Sequence, residues 1–133
     1  MAVDLDVDSA AKDYEEKLKV LMGNQPKADL LLLGMGPDGH TCSLFPEHPL
    51  LNESDKIVVP IKDSPKPPPE RVTLTLPVLN NSKAVVFVST GEGKKEMIKN
   101  VLKDKKHSFP ATRVIPTTGE LYWIIDKPAG SML

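Results

Sequence analysis

The chain has 133 residues, 40% of them apolar, which is enough for one domain that buries roughly two thirds of its unfolded surface. Its 17 basic and 18 acidic residues give a net charge of -1, so no extended positive surface is available for nucleic acid or an anionic membrane. An anionic ligand must therefore be bound by local charges. We predict a single domain over residues 1–133.

Cysteine content and the first residues bear on location. The single cysteine, Cys42, excludes an internal disulfide, and the chain starts with neither a basic segment nor an apolar one typical of a signal peptide. No apolar run approaches the roughly 20 residues that span a bilayer. These features predict a cytoplasmic protein that does not insert into a membrane.

Hydrophobic spacing divides the chain into alternating helices and strands. Apolar residues three or four positions apart predict helices, whereas short β-branched or leucine-rich runs between turn residues predict strands. In chain order, the predicted elements are a helix over residues 9–22, strands over 28–33, 56–61 and 71–76, a short helix through residue 79, a strand over 84–89, a helix over 95–103 and a strand over 121–125. Strands that alternate with helices predict an α/β fold with a mainly parallel sheet.

Prolines shape two of the longer connections. After the first strand, two prolines leave room only for a short helical turn near residues 42–45. Residues 62–70 contain four prolines and are predicted to form a stiff, extended polyproline-type loop that holds Lys66 in place. The strand after this loop alternates apolar residues with Thr73 and Thr75, which predicts a polar threonine face directed toward a site.

A glycine loop with the sequence GMGPDGHT, residues 34–41, follows the leucine-rich strand without a break. In open α/β sheets, ligands bind outside the carboxyl ends of the strands. The glycines allow a sharp turn that directs Asp38 and His40 into one pocket. There His40 can act as a general base, and Asp38 can orient the imidazole and stabilise its protonated form. The alternative is an ordinary Asp-Gly turn, with His40 capping a helix or facing solvent.

Three other chemistries fit parts of the same stretch. The glycines match the G-x-G-x-x-G spacing of dinucleotide-binding loops, with Asp63 where a ribose-binding acid could lie. This interpretation is disfavoured because prolines interrupt the helix that should follow, and Asp38 would repel phosphates. A metal site formed by Asp38, His40 and His48 is also disfavoured, because it offers three ligands and the sequence has no second cluster of Cys or His. Cys42 is more typical of a buried, inert thiol than of a nucleophile.

A second glycine loop, TGEGK, ends at Lys94, where a helix is predicted to begin. Amides at a helix amino terminus together with a lysine form a small anion site that suits a phosphate group. A solvated lysine is an equally weighted alternative. Lys66 and Arg71 are further candidate anion contacts. His48 and His107 lie in polar loops and are predicted to face solvent.

Three segments together resemble the 6-phosphogluconolactonase family of the glucosamine/galactosamine-6-phosphate isomerase superfamily, in that family's order and spacing. They are GMGPDGHTCSLFP at residues 34–46, SPKPPPERVTLTLP at residues 64–77 and TGEGK at residues 90–94. The resemblance extends from about residue 8 to residue 126. It implies a Rossmann-like, three-layer αβα sandwich with a mainly parallel sheet.

The resemblance also implies an activity, the hydrolysis of 6-phospho-D-glucono-1,5-lactone to 6-phospho-D-gluconate in the oxidative pentose phosphate pathway, with no metal or organic cofactor. By resemblance, His40 activates the attacking water, and Asp38 helps to orient that water or the substrate. The residues that match family positions around the substrate are Lys94, Arg71, Lys66, Gly36 and Gly39. The expected partner is a small sugar-phosphate lactone, and the expected state is a monomer or weak homodimer.

The resemblance covers only the family's carboxyl-terminal half. Family members begin with a comparable length of chain that contains a Gly-Gly-Ser phosphate loop and an Asp-Glu-Arg segment, and this sequence contains neither. The expectation is a partial domain, from a fragment, a truncated isoform or an incomplete gene model, with an unpaired sheet edge and exposed apolar surface. Two hypotheses follow: a lactonase, and a truncated, non-catalytic sugar-phosphate binding or interaction module.

Overall fold

The computed structural model describes residues 4–133, in which helices and strands alternate as predicted. The elements are α1 (Val7–Met22), β1 (Leu31–Leu33), β2 (Val58–Ile61), β3 (Arg71–Leu74), α2 (Leu76–Asn80), β4 (Ala84–Ser89), α3 (Lys95–Ile98) with a π-helical continuation over Lys99–Lys103, and β5 (Glu120–Ile125). Short 3-10 turns lie at Pro49–Asn52, Glu92–Lys94 and Pro110–Arg113. Within the described residues, no helix has the length and apolar character needed to cross a membrane.

The sheet is parallel, with strand order β1-β4-β5. Strands β2 and β3 form a separate antiparallel pair, on which α1 packs. The α/β fold with a mainly parallel sheet is thus confirmed. In a parallel sheet the carboxyl ends of the strands lie along one edge, so the two glycine loops, which follow β1 and β4, emerge side by side.

One face of the sheet forms the core. Val85 and Phe87 of β4 are fully buried against Leu79 of α2 and Ile98 of α3. The Phe87 ring also stacks on Trp123 of β5, with ring centroids 4.1 Å apart. Burial of these apolar side chains provides a rigid base for the loops at the carboxyl edge.

The opposite face of the sheet is apolar and exposed. Leu32, Val86 and Tyr122 lie in register across the three strands, and Val88 and Ile124 form the next row. Leu32 is 69% exposed and Ile124 is 57% exposed. Within the described residues, β1 pairs with β4 alone and its second edge carries no strand. The expected unpaired edge and exposed apolar surface are both present.

We expect the exposed apolar face to cause weak self-association, which a charge on this face should reduce without unfolding the chain. Val88→Lys adds an ammonium that would repel the same group on a second copy. Because Val88 is already 48% exposed, the free energy of unfolding should change by less than about 0.5 kcal/mol. Val85→Lys, on the buried face of the same strand, is the matched control and should unfold the chain because it buries a charge. Sedimentation velocity and urea titration measure both effects. Unchanged self-association of Val88→Lys would contradict the prediction.

Two connections differ from their predictions in detail. Residues 42–45 were predicted to form a short helical turn, and this was wrong. Residues 41–44 form a tight β-turn, in which the Leu44 N–H donates to the Thr41 carbonyl at 2.9 Å, Cys42 has φ +52°, and Thr41 and Leu44 form an isolated antiparallel bridge. The proline loop was predicted to be extended, and this was wrong. Its ends close on each other because the Ser64 N–H donates to the Pro69 carbonyl at 3.1 Å.

Candidate active site

The first glycine loop folds into a tight turn at the carboxyl end of β1. The Gly36 N–H donates to the His40 carbonyl at 2.9 Å, and the Gly39 N–H donates to the Gly36 carbonyl at 3.0 Å. Gly39 has φ +80°, a conformation that favours glycine. A Cβ on Gly36 would lie 2.1 Å from the His40 ring. Loop shape thus explains both glycines, and their contact with a substrate stays a prediction.

Asp38 and His40 form a hydrogen-bonded pair on this loop. Nδ1 of His40 lies 2.5 Å from Oδ1 of Asp38, and the His40 backbone N–H donates to the same oxygen at 3.3 Å. The His40 side chain is 18% exposed, and the Asp38 side chain is 32% exposed. When the ring is neutral, this bond places the proton on Nδ1 and leaves Nε2 as an acceptor, with no partner among the described residues. The alternative of a solvent-facing or helix-capping His40 is therefore wrong.

The charge on Asp38 is stabilised by its neighbours. Burial by itself raises the pKa of Asp38, but hydrogen bonds from His40 and the charges of His40 and Lys66 lower that pKa below its ordinary value. The Lys66 ammonium lies 3.8 Å from Oδ1 of Asp38. Because the folded pKa is the lower one, the ionised carboxylate stabilises the loop at neutral pH, and this contribution is lost as the pH falls through the folded pKa.

Phe45 packs against the imidazole of His40. The rings of Phe45 and His40 have centroids 4.7 Å apart and planes tilted by 35°. Phe45 is buried in turn, and the Arg71 guanidinium lies 5.5 Å from its ring centroid. The carboxylate and the aromatic ring together fix the direction in which Nε2 points.

Arg71 holds the proline loop. Its Nε donates to the Pro68 carbonyl at 3.0 Å, and its Nη2 donates to the Lys66 and Pro67 carbonyls at 2.9 Å each. These bonds tie the guanidinium to the loop that carries Lys66 to Asp38. The contact of Arg71 or Lys66 with an anionic substrate stays a prediction.

Lys94 joins the second glycine loop to the first. Its Nζ donates to the Met35 carbonyl at 2.7 Å, and the residue is half-buried. This bond excludes the alternative of a fully solvated lysine. No carboxylate in the described part of the chain pairs with Lys94, and an ammonium has three donors, so two remain after the Met35 bond. The position suits a phosphate contact at the edge of the glycine loops.

The other chemistries find no support in the geometry. A dinucleotide loop needs a helix directly after its glycines, but residues 41–48 form turns and an isolated β-bridge. Asp63 contacts His48, with Oδ1 2.9 Å from Nε2. The described residues contain no group of three or more His, Cys, Asp or Glu side chains that could hold a metal ion. Burial raises the pKa of the Cys42 thiol to about 11, which is typical of an inert thiol.

The prediction for the remaining histidines was right for one of them. His107 is exposed. The prediction that His48 faces solvent was wrong, because its side chain is 14% exposed and both ring nitrogens are engaged. Nδ1 accepts from the Leu50 N–H at 3.2 Å, opposite the bond to Asp63. His48 therefore caps the 3-10 turn at Pro49–Asn52.

Two residues to which the sequence analysis assigned no role complete the loop. Thr41 is buried, and its hydroxyl donates to the Gly34 carbonyl at 2.9 Å. Phe109 contacts Gly39 so closely that a Cβ there would lie 2.8 Å from its ring. Thr41 could have been found because it directly follows His40, whereas nothing in the local sequence around Phe109 links it to the site.

Sequence comparison identifies the family. The profile described as "Glucosamine-6-phosphate isomerases/6-phosphogluconolactonase" matches residues 1–123. The chain belongs to this family. The rat protein named 6-phosphogluconolactonase is 57% identical over 131 residues, which cover 97% of this chain and 51% of the rat protein. The human protein of that name is 56% identical over 133 residues, covering 98% and 52%, respectively.

Solved structures of the 6-phosphogluconolactonase family have the same fold. The chain superposes on 6-phosphogluconolactonase from Trypanosoma cruzi with a TM-score of 0.82 and 31% identity, over 100% of this chain and 54% of that one. The chain spans about half the length of the relatives that it matches. The predicted resemblance to part of this family is confirmed.

Proposed function

We propose that this chain is a lactone hydrolase that converts 6-phospho-D-glucono-1,5-lactone to 6-phospho-D-gluconate. The observation that carries the proposal is the Asp38–His40 pair, whose Nε2 has no partner among the described residues. The names of the rat and human relatives support the substrate class. The corresponding metabolic step belongs to the oxidative pentose phosphate pathway.

The proposed reaction starts with a water molecule bound at Nε2 of His40. Nε2 takes a proton as the water oxygen attacks the lactone carbonyl carbon, and Asp38 stabilises the imidazolium that forms. The tetrahedral intermediate then expels the ring oxygen, which receives the proton from Nε2, and the carbonyl becomes a carboxylic acid. Such a lactone needs an oriented water, a base and stabilisation of the oxyanion, so the proposal invokes no cofactor.

The remaining site residues are assigned to substrate binding. Lys94, with two ammonium donors not used by Met35, would bind the phosphate group. Lys66 would supply a second positive charge beside Asp38, and Arg71 would hold the loop that carries Lys66. Gly36 and Gly39 would shape the loop around the lactone ring.

The setting of the reaction is part of the proposal. The partner is a small sugar-phosphate lactone, with no role for nucleic acid or a membrane, and we place the chain in the cytoplasm. We treat residues 1–133 as one partial domain that is monomeric or a weak homodimer. The balanced net charge supports the absence of a role for nucleic acid or an anionic membrane. The exposed apolar face of the sheet supports a weak homodimer.

A second candidate is a non-catalytic module that binds sugar phosphates or a partner. Two observations favour it: the apolar face of the sheet is exposed, and the chain spans about half of its relatives. The two candidates differ in turnover, because a binding module would retain affinity for 6-phosphogluconate without hydrolysing the lactone.

Lys94→Met should raise KM for the lactone about tenfold with little change in kcat, because it removes a charge that binds substrate and transition state alike. Lys95→Met is the matched control, since Lys95 pairs with Glu92 at 2.9 Å. Proton release in a pH-stat, corrected for spontaneous hydrolysis, measures both constants. Binding of 6-phosphogluconate without turnover of the lactone would favour the non-catalytic module. If the chain showed neither binding nor turnover, both candidate functions would be contradicted.

A further inference from the structure

Asp126 lies directly after β5, at the same edge of the sheet as the glycine loops. Both of its carboxylate oxygens accept from the Gly91 N–H, at 3.0 and 3.1 Å, and one of them also accepts from the Ala129 N–H at 2.9 Å. Ser89 and Ile125, the last residues of β4 and β5, are paired in the sheet. The carboxylate therefore bridges the segments that leave two neighbouring strands.

A chain of hydrogen bonds leads from this carboxylate to Lys94. Gly91 donates its N–H to Asp126, and its carbonyl accepts from the Lys94 N–H at 3.1 Å. The Lys94 ammonium then reaches the Met35 carbonyl at 2.7 Å. The backbone position of Lys94 is thus set through Gly91 by a side chain on another strand.

The charges along this series of hydrogen bonds leave Lys94 suited to bind an anion. No lysine or arginine in the described residues forms an ion pair with Asp126, which is satisfied by backbone N–H groups instead. Lys94 in turn contacts a neutral carbonyl and no carboxylate. The Lys94 ammonium is therefore available to pair with an anionic ligand, although the Asp126 carboxylate supports the same loop.

We propose that Asp126 is a positioning residue that fixes the TGEGK loop so that the Lys94 ammonium meets the phosphate of the substrate. This inference rests on the proposed function for its ligand and adds a residue that no motif or resemblance indicated. Asp126 does not contact the phosphate itself. It acts through the Gly91 amide.

Asp126→Asn tests the proposal with a side chain of the same size. An amide offers one acceptor oxygen and turns its NH2 group toward a backbone donor, so the loop loses at least one bond. We expect KM for the lactone to rise about 5- to 10-fold, with kcat within about twofold of wild type. Asp29→Asn is the matched control, because Asp29, just before β1, pairs with the exposed Lys83 and with no other side chain in the described part of the chain. It should leave both constants unchanged.

A double-mutant cycle shows whether Asp126 acts through Lys94. In a Lys94→Met background, Asp126→Asn should raise KM by less than about twofold, because the group that it positions is absent. If KM of the double variant rose by the product of the two single-variant effects, the proposal would be overturned. A fall in kcat with unchanged KM would also overturn it.

Amide hydrogen exchange provides a readout that needs no activity. In Asp126→Asn, the Gly91 and Lys94 amides should both exchange at least about fivefold faster, whereas the Val86 amide within β4 should not change. Faster exchange at Gly91 alone would overturn the positioning role. If the wild-type chain lacks turnover, the proposed function fails, and the exchange rates still decide whether Asp126 positions Lys94.

Discussion

Replacing His40 with glutamine should lower kcat for lactone hydrolysis by about 10²- to 10⁴-fold, the usual contribution of a general base. Glutamine is polar and of similar length, but its amide cannot take a proton from water at neutral pH. The effect should fall on kcat, because the imidazole acts in the transition state and not in binding the phosphate. Initial rates of proton release, corrected for spontaneous hydrolysis, measure it.

His107→Gln is the matched control for this change. His107 is exposed and its side chain has no role in the site, so the variant should keep the wild-type rate. Adding Asp38→Asn to His40→Gln should lower the rate no further, because residues that act as a unit are not additive. Equal rates for His40→Gln and wild type would remove His40 as the base.

The parts of the molecule that follow from local sequence were predictable. Strand β4 has the predicted bounds, because a run of β-branched residues between turn residues favours a strand whatever surrounds it. The Asp38–His40 pair was also predictable, because the two residues are two positions apart on a tight turn. Such features need no knowledge of which distant segments meet.

The parts that depend on distant contacts were not predictable. Alternation over residues 71–76 predicted a polar threonine face toward the site, but Thr73 and Thr75 are buried. Thr73 accepts from the Ser43 N–H at 3.1 Å, and Thr75 donates to the Lys56 carbonyl at 2.7 Å. Both hydroxyls satisfy backbone groups of other segments, which a strand pattern alone cannot reveal.

Charged side chains show the same difference. Arg71 was predicted as an anion contact because of its charge, and that contact stays a prediction. The three bonds from its guanidinium to backbone carbonyls could not be predicted from the sequence. Asp126 was overlooked although it follows a strand, because its partner Gly91 lies on another strand's loop. The nature of a side chain indicates what it can bind, and only the fold determines what lies within its reach.

Gly36→Ala should lower kcat at least about 100-fold while the chain stays folded. A Cβ at this position would lie 2.1 Å from both Cε1 and Nδ1 of His40 and 2.9 Å from Oδ1 of Asp38. No side chain tolerates such contacts, so the imidazole must move and its bond to Asp38 must break. A displacement of about 1 Å at a catalytic group is enough for an effect of this size.

Gly34→Ala is the matched control, because a Cβ there would meet no atom within 4 Å apart from its own residue and its two chain neighbours. It should keep kcat within about fivefold of wild type. Thermal unfolding of both variants separates a displaced imidazole from a loss of fold. A wild-type rate in Gly36→Ala would contradict the close packing of the loop around His40.

The same variant separates two uses of glycine in a G-x-G-x-x-G loop. In a dinucleotide-binding loop, glycines let the backbone approach a phosphate, so an added methyl group reduces ligand affinity. Here Gly36 makes room for the imidazole of His40, so Gly36→Ala should lower kcat while the Kd for 6-phosphogluconate stays within about threefold of wild type. Weaker binding with an unchanged kcat would show instead that this loop binds the phosphate.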